Sequence, residues 1–589
     1  MSLADNTYLT AFETDNARNL TAQQLSSHFI WLPSFERLLT PKNHIVLGSR
    51  GSGKTAFAKM LSHSYLARSS HAKAKRIIED KSYIGTYVPM KLDWIGGISN
   101  KSWMTDEEKL FFFQWRLNIA TCMAFTSTIE SCLNEYVGSD GGERSVKEYQ
   151  IVCKLAKEWF DECDDIVTIK ELREALEDIE FKKQKQIIRY RILGESIPEE
   201  MLIGLTFEMD LFTPFKRAVT LAKRFFNVPD ESTWLLCLDE AEFLDKSYHK
   251  ALNSHLRTES GNIAFKITTL PYHHHTLDTL TEASLDIDHD FQYVYIDQMV
   301  SVGASTDPTK LANFSRELFT RRLPIALRKS QVSLDFLLGS SELLGDVDAE
   351  WAEGSPMMKL LEKYATAKTI DRAKEKINDP GFKDQIGRKM QGMLLLKDAV
   401  GKNKGNTDID IYSGVNLFVL CSDGNPRRII RMLNSIVHAV SFKRNSKDDT
   451  GFIPLKKSKQ SSILKNISQN ALLVAQVEPE IGNDLYEFLK EIGEHFSDKL
   501  HSEKVGSDYY GSISVTSQDP EIWKYITRSV ALGLMVPNIN TNNPDPLPRV
   551  EGVFRLAYVL SPMFNIMPRK GKSIKLNSVY MKQKGLIND

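Results

Sequence analysis

The sequence predicts an α/β fold, a parallel sheet flanked by helices, and three features predict it. The stretch "HIVLGSRGSGKTAFAKML", 44–61, runs from a short apolar strand through a glycine-rich turn into residues with helical spacing. "TWLLCLDEAEFLD" and "NIAFKITTLP" are apolar runs of strand length ending in polar residues, as strands buried on both faces do. Helical patterning then fills about 104–228 and much of 301–440, so the sheet lies inside a largely helical chain.

Taken in order, residues 13–40 give a polar lead-in and an amphipathic helix, "AQQLSSHFIWLPSFERLL". The strand at 44–47 follows, and "YIGTYVPMKLD", 83–93, has the composition of a neighbouring strand. "DEEKLFFFQWRLNIATCMAFTSTIESCL" is a helix with a broad apolar face. "TIKELREALEDIEFKKQKQIIRYRI" is an amphipathic, charged helix, read as solvated, with a protein-contact arm as the other reading. "FQYVYIDQ" is a third strand of this later group. A second helical stretch contains the loop-like "LLGDVDAEWAEGSP" and "DPGFKDQIGRK", and "NLFVLCSDGNPRRIIRMLNSIVHAV" and a basic linker come next. The tail has helices near 483–500 and 520–534, the turn-forming "VPNINTNNPDPLP", and "GVFRLAYVLSPMF" as a strand. The expected boundaries are a lead-in 1–40, a core 41–300 with an insertion about 104–228, and a helical segment 301–445 with an insertion about 325–410. A linker 446–475 and a small C-terminal domain 476–589 complete the chain.

The glycine-rich turn has the residues of a phosphate cradle. Gly48, Gly51 and Gly53 permit turns that side chains would obstruct, and the backbone amides of Gly48, Ser49, Arg50, Gly51, Ser52, Gly53, Lys54, Thr55 and Ala56 can ring a polyphosphate. The helix starting near Lys54 adds its positive end. Lys54 is placed to bridge the β- and γ-phosphates, and Thr55 to offer its hydroxyl to Mg²⁺. Asp239, at the end of an apolar strand, is the second candidate metal ligand, and Glu240 the candidate base that polarises water. An L-S-G-G-Q signature and a complete N-K-x-D guanine reader are both lacking, "NKGN" at 403–406 having no aspartate. ATP is therefore the expected nucleotide, with Mg²⁺.

Composition sets outer bounds. The 589 residues suffice for about three to four domains. A formal charge of −1 gives no bulk attraction to nucleic acid, so any such contact needs a local patch. No apolar run is long enough for a membrane span, and the N-terminus lacks the pattern of a secretory signal. Six scattered cysteines without a C-x-x-C pair read as reduced thiols, so a cytoplasmic protein is expected, with no membrane partner. The three consecutive histidines of "PYHHHTL" read as a polar surface loop rather than a metal site. Arg569, Lys570, Lys572, Lys575, Lys582 and Lys584, with Lys456, Lys457 and Lys459, form a basic set that could meet phosphate backbones.

After Asp239 the order of elements resembles the AAA+ ATPases. "KITTLP" puts Thr268 and Thr269 where that family keeps a polar sensor-1 residue, and "DGNPRRIIRMLN" resembles the sensor-2 motif G-x-x-R of the helical lid. The resemblance assigns Arg427 to the nucleotide's phosphates, a task suited to a permanent charge and a forked donor. Arg428 would point elsewhere. "NARNLTAQQLSSHFIWLPSFERLL", "YIGTYVPMK", "LLCLDEAEFLD", "KALNSHLRTESGNIAFKITTLPY" and "SDGNPRRIIRMLN" together resemble bacterial relatives of the origin-recognition-complex initiator clade, discontinuously over about 15–440. The resemblance implies an α-helical lid and a C-terminal winged-helix-like domain in 476–589. The family's usual arginine finger has no counterpart in "TLDTLTEASLDIDHD"; Arg257 is the nearest residue to act across a subunit boundary, with Arg316, Arg321 and Arg322 as alternatives. Three functions follow as expectations. The first is a hydrolysing ATP switch, a homo-oligomer controlling a separately encoded effector, with such relatives suggesting a role in mobile-element or anti-phage defence. The others are a DNA-binding initiator or helicase loader, and an ATP-binding signalling scaffold with little hydrolysis.

Overall fold

The computed structural model describes residues 10–90, 102, 104–138, 141–161, 163–194, 206–258, 262–281, 283–297, 308–324, 332–379, 381–382, 386–402, 409–440, 452–506, 508–516, 519–538 and 551–580. By its internal contacts the chain forms two compact units. One comprises residues 17–48 and 54–296; the other comprises 1–16, 49–53 and 297–589.

The first unit is built on five strands: β1 (His44–Leu47), β2 (Tyr83–Pro89), β3 (Thr233–Asp239), β4 (Ile263–Thr269) and β5 (Gln292–Tyr295). They lie in the order β2-β3-β4-β1-β5, and every pairing is parallel. β3 is buried along its whole length, and its side chains alternate between two cores. Trp234, Leu236 and Leu238 join Ile45, Leu47, Phe265 and Ile267 in one core; Leu235 and Cys237 join Val46, Ala264 and Val294 in the other. The second core is closed by α1 (Ala22–His28), α2 (Pro33–Arg37) and α3 (Lys54–Leu61). The expected single helix over 22–39 is two, because Pro33 opens α2 after an extended Leu32. The first core takes α4 (Asp106–Tyr136), α5 (Gly141–Trp159), α6 (Ile169–Leu193), α7 (Thr213–Phe225) and α8 (Lys246–Thr258). α4 starts sharply: Thr105 and Glu108 form a reciprocal capping box, and three acids occupy the first turn.

Buried histidines give this unit an acid-sensitive fold. His63 joins the short helix His63–Leu66 to α4 through Ser131 (2.8 Å) and Tyr136 (3.0 Å). Burial lowers the pKa of His44 to about 3, with Lys266 beside it, of His63 to about 4, and of His274 to about 3, with His275 beside it. Between the unfolded value of 6.5 and these folded values the unfolded chain binds more protons. Stability therefore falls as pH drops from about 6.5 towards about 4, by up to about 3 kcal/mol per site. The urea midpoint should decline over this window, and less steeply in His63→Gln; equal slopes in the two proteins would contradict this assignment.

The three-histidine loop departs from expectation. His274 is fully buried, its ring 4.5 Å from that of His249 of α8 and tilted to it, and it is bonded through Nε2 to Asn253 (3.1 Å), while of the three histidines only His275 is exposed. Among the described residues no cluster of histidines, cysteines or acids could hold a metal ion.

The second unit carries α9 (Pro308–Arg322), α10 (Val415–Cys421), α11 (Pro426–Ala439), α12 (Lys457–Leu473), α13 (Gly482–His501) and α14 (Pro520–Ala531). It also has β6 (Tyr510–Thr516), β7 (Met535–Pro537), β8 (Glu551–Leu556) and β9 (Lys572–Lys575), ordered β7-β8-β6-β9. Two expectations are corrected here. Much of the presumed linker is α12, which buries Ile463, Leu464 and Leu472. The strand read through "GVFRLAYVLSPMF" stops at Leu556 and turns into helical segments at Tyr558–Leu560 and Ser561–Phe564. The backbone amides of Tyr558 and Val559 bond instead to the carboxylate of Asp423. Three of the nine residues of the basic set are already engaged: Arg569 donates to the Lys389 carbonyl, Lys572 pairs with Asp508, and Lys457 with Glu342. Lys582 and Lys584 lie outside the described residues. All six cysteines are free thiols, and among the described residues no helix is long and apolar enough to cross a membrane.

Candidate nucleotide site

Parallel strands deliver their carboxyl ends to one edge, the side where α/β sheets bind ligands. In the first unit this edge carries Gly48 after β1, Asp239 and Glu240 at the end of β3, and Thr268 and Thr269 at the end of β4. Register places Leu47 beside Thr269, and the amide of Gly48 donates to the Thr269 carbonyl at 3.3 Å. Lys54 and Thr55 open α3 in the same unit, and Nζ of the buried Lys54 donates to the Gly48 carbonyl at 2.8 Å. That bond folds the lysine back over the turn.

Asp239 is fully buried, and its carboxylate accepts from the hydroxyls of Tyr87 (3.0 Å) and Thr268 (2.5 Å). Burial and the neighbouring carboxylate hold the Tyr87 phenol well above its ordinary pKa, so it stays a donor. Among the described residues no cation pairs with Asp239. A buried carboxylate served only by hydroxyls leaves a negative charge that a divalent ion would balance, so Asp239 fits Mg²⁺. Thr268 and Thr269 differ in what they can do. Thr268 is committed to Asp239, and its oxygen also accepts from the Glu240 amide at 3.1 Å. The Thr269 hydroxyl is buried with no hydrogen-bond partner among the described residues, which makes it the better candidate for a phosphate contact.

Glu240 adopts a left-handed backbone conformation, φ 74°, outside a glycine. Strained positions of this kind cluster at functional sites. Its carboxylate forms an ion pair with Arg18, a partner that sequence reading did not find. The carbonyls of Ala17 and Arg18 are in turn held by Nζ of Lys59 on α3, at 3.0 and 3.3 Å. The helix that opens with Lys54 thus also anchors the arginine that holds Glu240. No local sequence signal points to this contact, because Arg18 lies far upstream in a polar lead-in.

The middle of the glycine-rich turn belongs to the second unit. Gly51 and Gly53 have φ of +87° and +103°, and a Cβ on Gly51 would come within 2.8 Å of Arg427 Cβ. Ser49 donates from both its amide and its hydroxyl to Asp297, each at 2.8 Å. The Arg427 amide donates to the Gly51 carbonyl at 3.2 Å, at the start of α11, which Asn425 caps and Pro426 opens. Arg428 turns away to Asp423 (2.6 Å) and the Gly533 carbonyl (2.9 Å), as the helical spacing predicts.

The finger candidates are placed as follows. Arg257 ends α8 at the opposite edge of the sheet from Asp239 and donates to the Ser284 carbonyl. Arg316 grips Asp335 with two bonds, 2.8 and 2.7 Å, and Arg321 pairs with Glu317. Arg322 is buried, donating to the Thr14 carbonyl, and burial lowers its pKa to about 10.

A family model described as ORC-CDC6-like matches residues 10–576 of the chain. No curated protein and no solved structure matches it.

Proposed function

Because this chain belongs to the ORC-CDC6-like family of AAA+ ATPases, we propose that it binds Mg²⁺ and ATP at residues 48–56 and hydrolyses the bond between the β- and γ-phosphates, giving ADP and phosphate, as a molecular switch. The observation that carries the reading is the buried carboxylate of Asp239, paired with no cation among the described residues, on the edge that also presents Gly48, Lys54 and Glu240. In this reading the later amides of the loop cradle the phosphates, those of Gly48, Ser49 and Arg50 being held by Thr269, Asp297 and Ala531; Lys54 leaves the Gly48 carbonyl for the β- and γ-oxygens, and Thr55 and Asp239 hold the metal. Mg²⁺, when bound, supplies charge neutralisation on the phosphate oxygens. Glu240, once released by Arg18, takes a proton from the attacking water, and Thr269 orients toward the γ-phosphate. Arg427 reaches the phosphates from the helical 301–445 segment, read here as the lid, and 476–589 is read as winged-helix-like. Arg257 is assigned to a neighbouring subunit's nucleotide in a homo-oligomer.

The switch is read as acting on a separately encoded effector, no nuclease, protease or deaminase constellation being visible in the sequence, and defence against phage or mobile elements is the setting proposed. DNA binding is the competing output, and a gel shift with and without ATP separates the two. The function itself is tested by phosphate release from Mg²⁺ and ATP: wild-type chain should turn over, and Lys54→Ala should lose nearly all of it because the charge on the β- and γ-phosphates is gone. Equal rates in the two proteins would refute the cradle assignment.

A further inference from the structure

Arg50 lies in the middle of the phosphate loop, yet its guanidinium and its amide both lead to the C-terminal part of its unit. Its guanidinium donates to Glu478 at 2.6 Å. Glu478 has a side chain only 4% exposed, and its other cation is Arg528, 3.9 Å away. The Arg50 amide donates to the carbonyl of Ala531 at 2.8 Å. Ala531 ends α14, and the last carbonyls of a helix lack partners inside it. The following amides close on other carbonyls: Leu532 on Arg528, Gly533 on Val530 and Leu534 on Ser529. The loop therefore supplies a bond that the helix end needs. On the other side Asn425 Nδ2 donates to the Arg50 carbonyl at 3.0 Å. Gly533, at φ +71°, lets the turn after α14 approach Ser49; a Cβ there would lie 3.3 Å from the Ser49 hydroxyl.

We propose that Arg50 is a positioning residue rather than a phosphate ligand: with Glu478 and the Ala531 carbonyl it latches the phosphate loop to residues 474–535, so that nucleotide binding and the placement of that segment are linked. This rests on the reading that the loop takes the phosphates of ATP. With the amides of Ser49 and Arg50 fixed outward on Asp297 and Ala531, the later amides of the loop are held in one arrangement before a ligand arrives. Preorganisation of this kind raises affinity, and by reciprocity the bound nucleotide must steady the latch.

The test uses the full chain with Mg²⁺ and ATPγS, measuring affinity by calorimetry and amide exchange over 474–535 with and without nucleotide. Wild type should show slowed exchange there on binding. Glu478→Gln, which leaves every loop residue intact, should weaken affinity roughly tenfold, within the usual range for linked sites, and lose the nucleotide-dependent slowing. Arg50→Lys should retain part of both effects. The pair exchange Arg50→Glu with Glu478→Arg should recover more than either single change. Unchanged affinity and unchanged slowing in Glu478→Gln, with Arg50→Ala weakened, would return Arg50 to the phosphates and overturn the latch. Absence of ATPγS binding by wild type would remove the nucleotide reading, and the latch with it.

Discussion

Glu240→Gln should leave ATP bound while turnover falls by about 10²–10⁴-fold, the usual contribution of a positioned general base. The substitution changes little else. Glu240 is 17% exposed in its side chain, and the amide oxygen of glutamine can still accept from Arg18. Its own backbone amide stays bonded to Thr268, so the geometry around Asp239 is preserved. The measurement pairs single-turnover hydrolysis with nucleotide affinity. A rate unaffected by the change would move the base to Glu242 or elsewhere.

Asp423→Ala should destabilise the second unit by about 3–5 kcal/mol, the range for breaking a buried ion pair by removing one partner. Asp423 accepts from Arg428 (2.6 Å), Arg555 (3.0 Å) and the amides of Tyr558 (2.9 Å) and Val559 (3.2 Å). Both arginine side chains are nearly buried, 12% and 10% exposed. Alanine leaves two cations and two amides without their acceptor, at the place where the loop before α11 meets the chain after β8. Urea unfolding reads the change as a lower midpoint at constant slope. A loss below about 1 kcal/mol would show that the cations find other partners, Asp297 being another acid that acts on Arg428.

Much of the core was legible because its signals are local. β1, β3 and β4 are short apolar runs that end in the polar residues the site uses, and they form strands over 44–47, 233–239 and 263–269. The helical spacing separated Arg427 from Arg428. What stayed hidden depends on distant pairings. Arg18 with Glu240, Tyr87 with Asp239 and Arg50 with Glu478 join residues that no spacing rule connects. The strand that ends at Leu556 stops early because Asp423, far upstream, captures the amides of Tyr558 and Val559. The basic stretch before α12 reads as linker because its charges dominate the composition. The helix shows only when Ile463, Leu464 and Leu472 find a surface to bury. The histidine loop misled for a related reason: its polarity predicts exposure, but Asn253 and His249 make a buried place for His274.

The central claim is that residues 48–56 are an ATP site, and calorimetric titration of ATP with Mg²⁺ into the Glu240→Gln chain tests it most directly, since slow turnover leaves binding alone to be seen. Saturable binding of ATP is the predicted result, with none when Lys54→Ala is added to the same chain. Equal affinity with and without Lys54 would contradict the account.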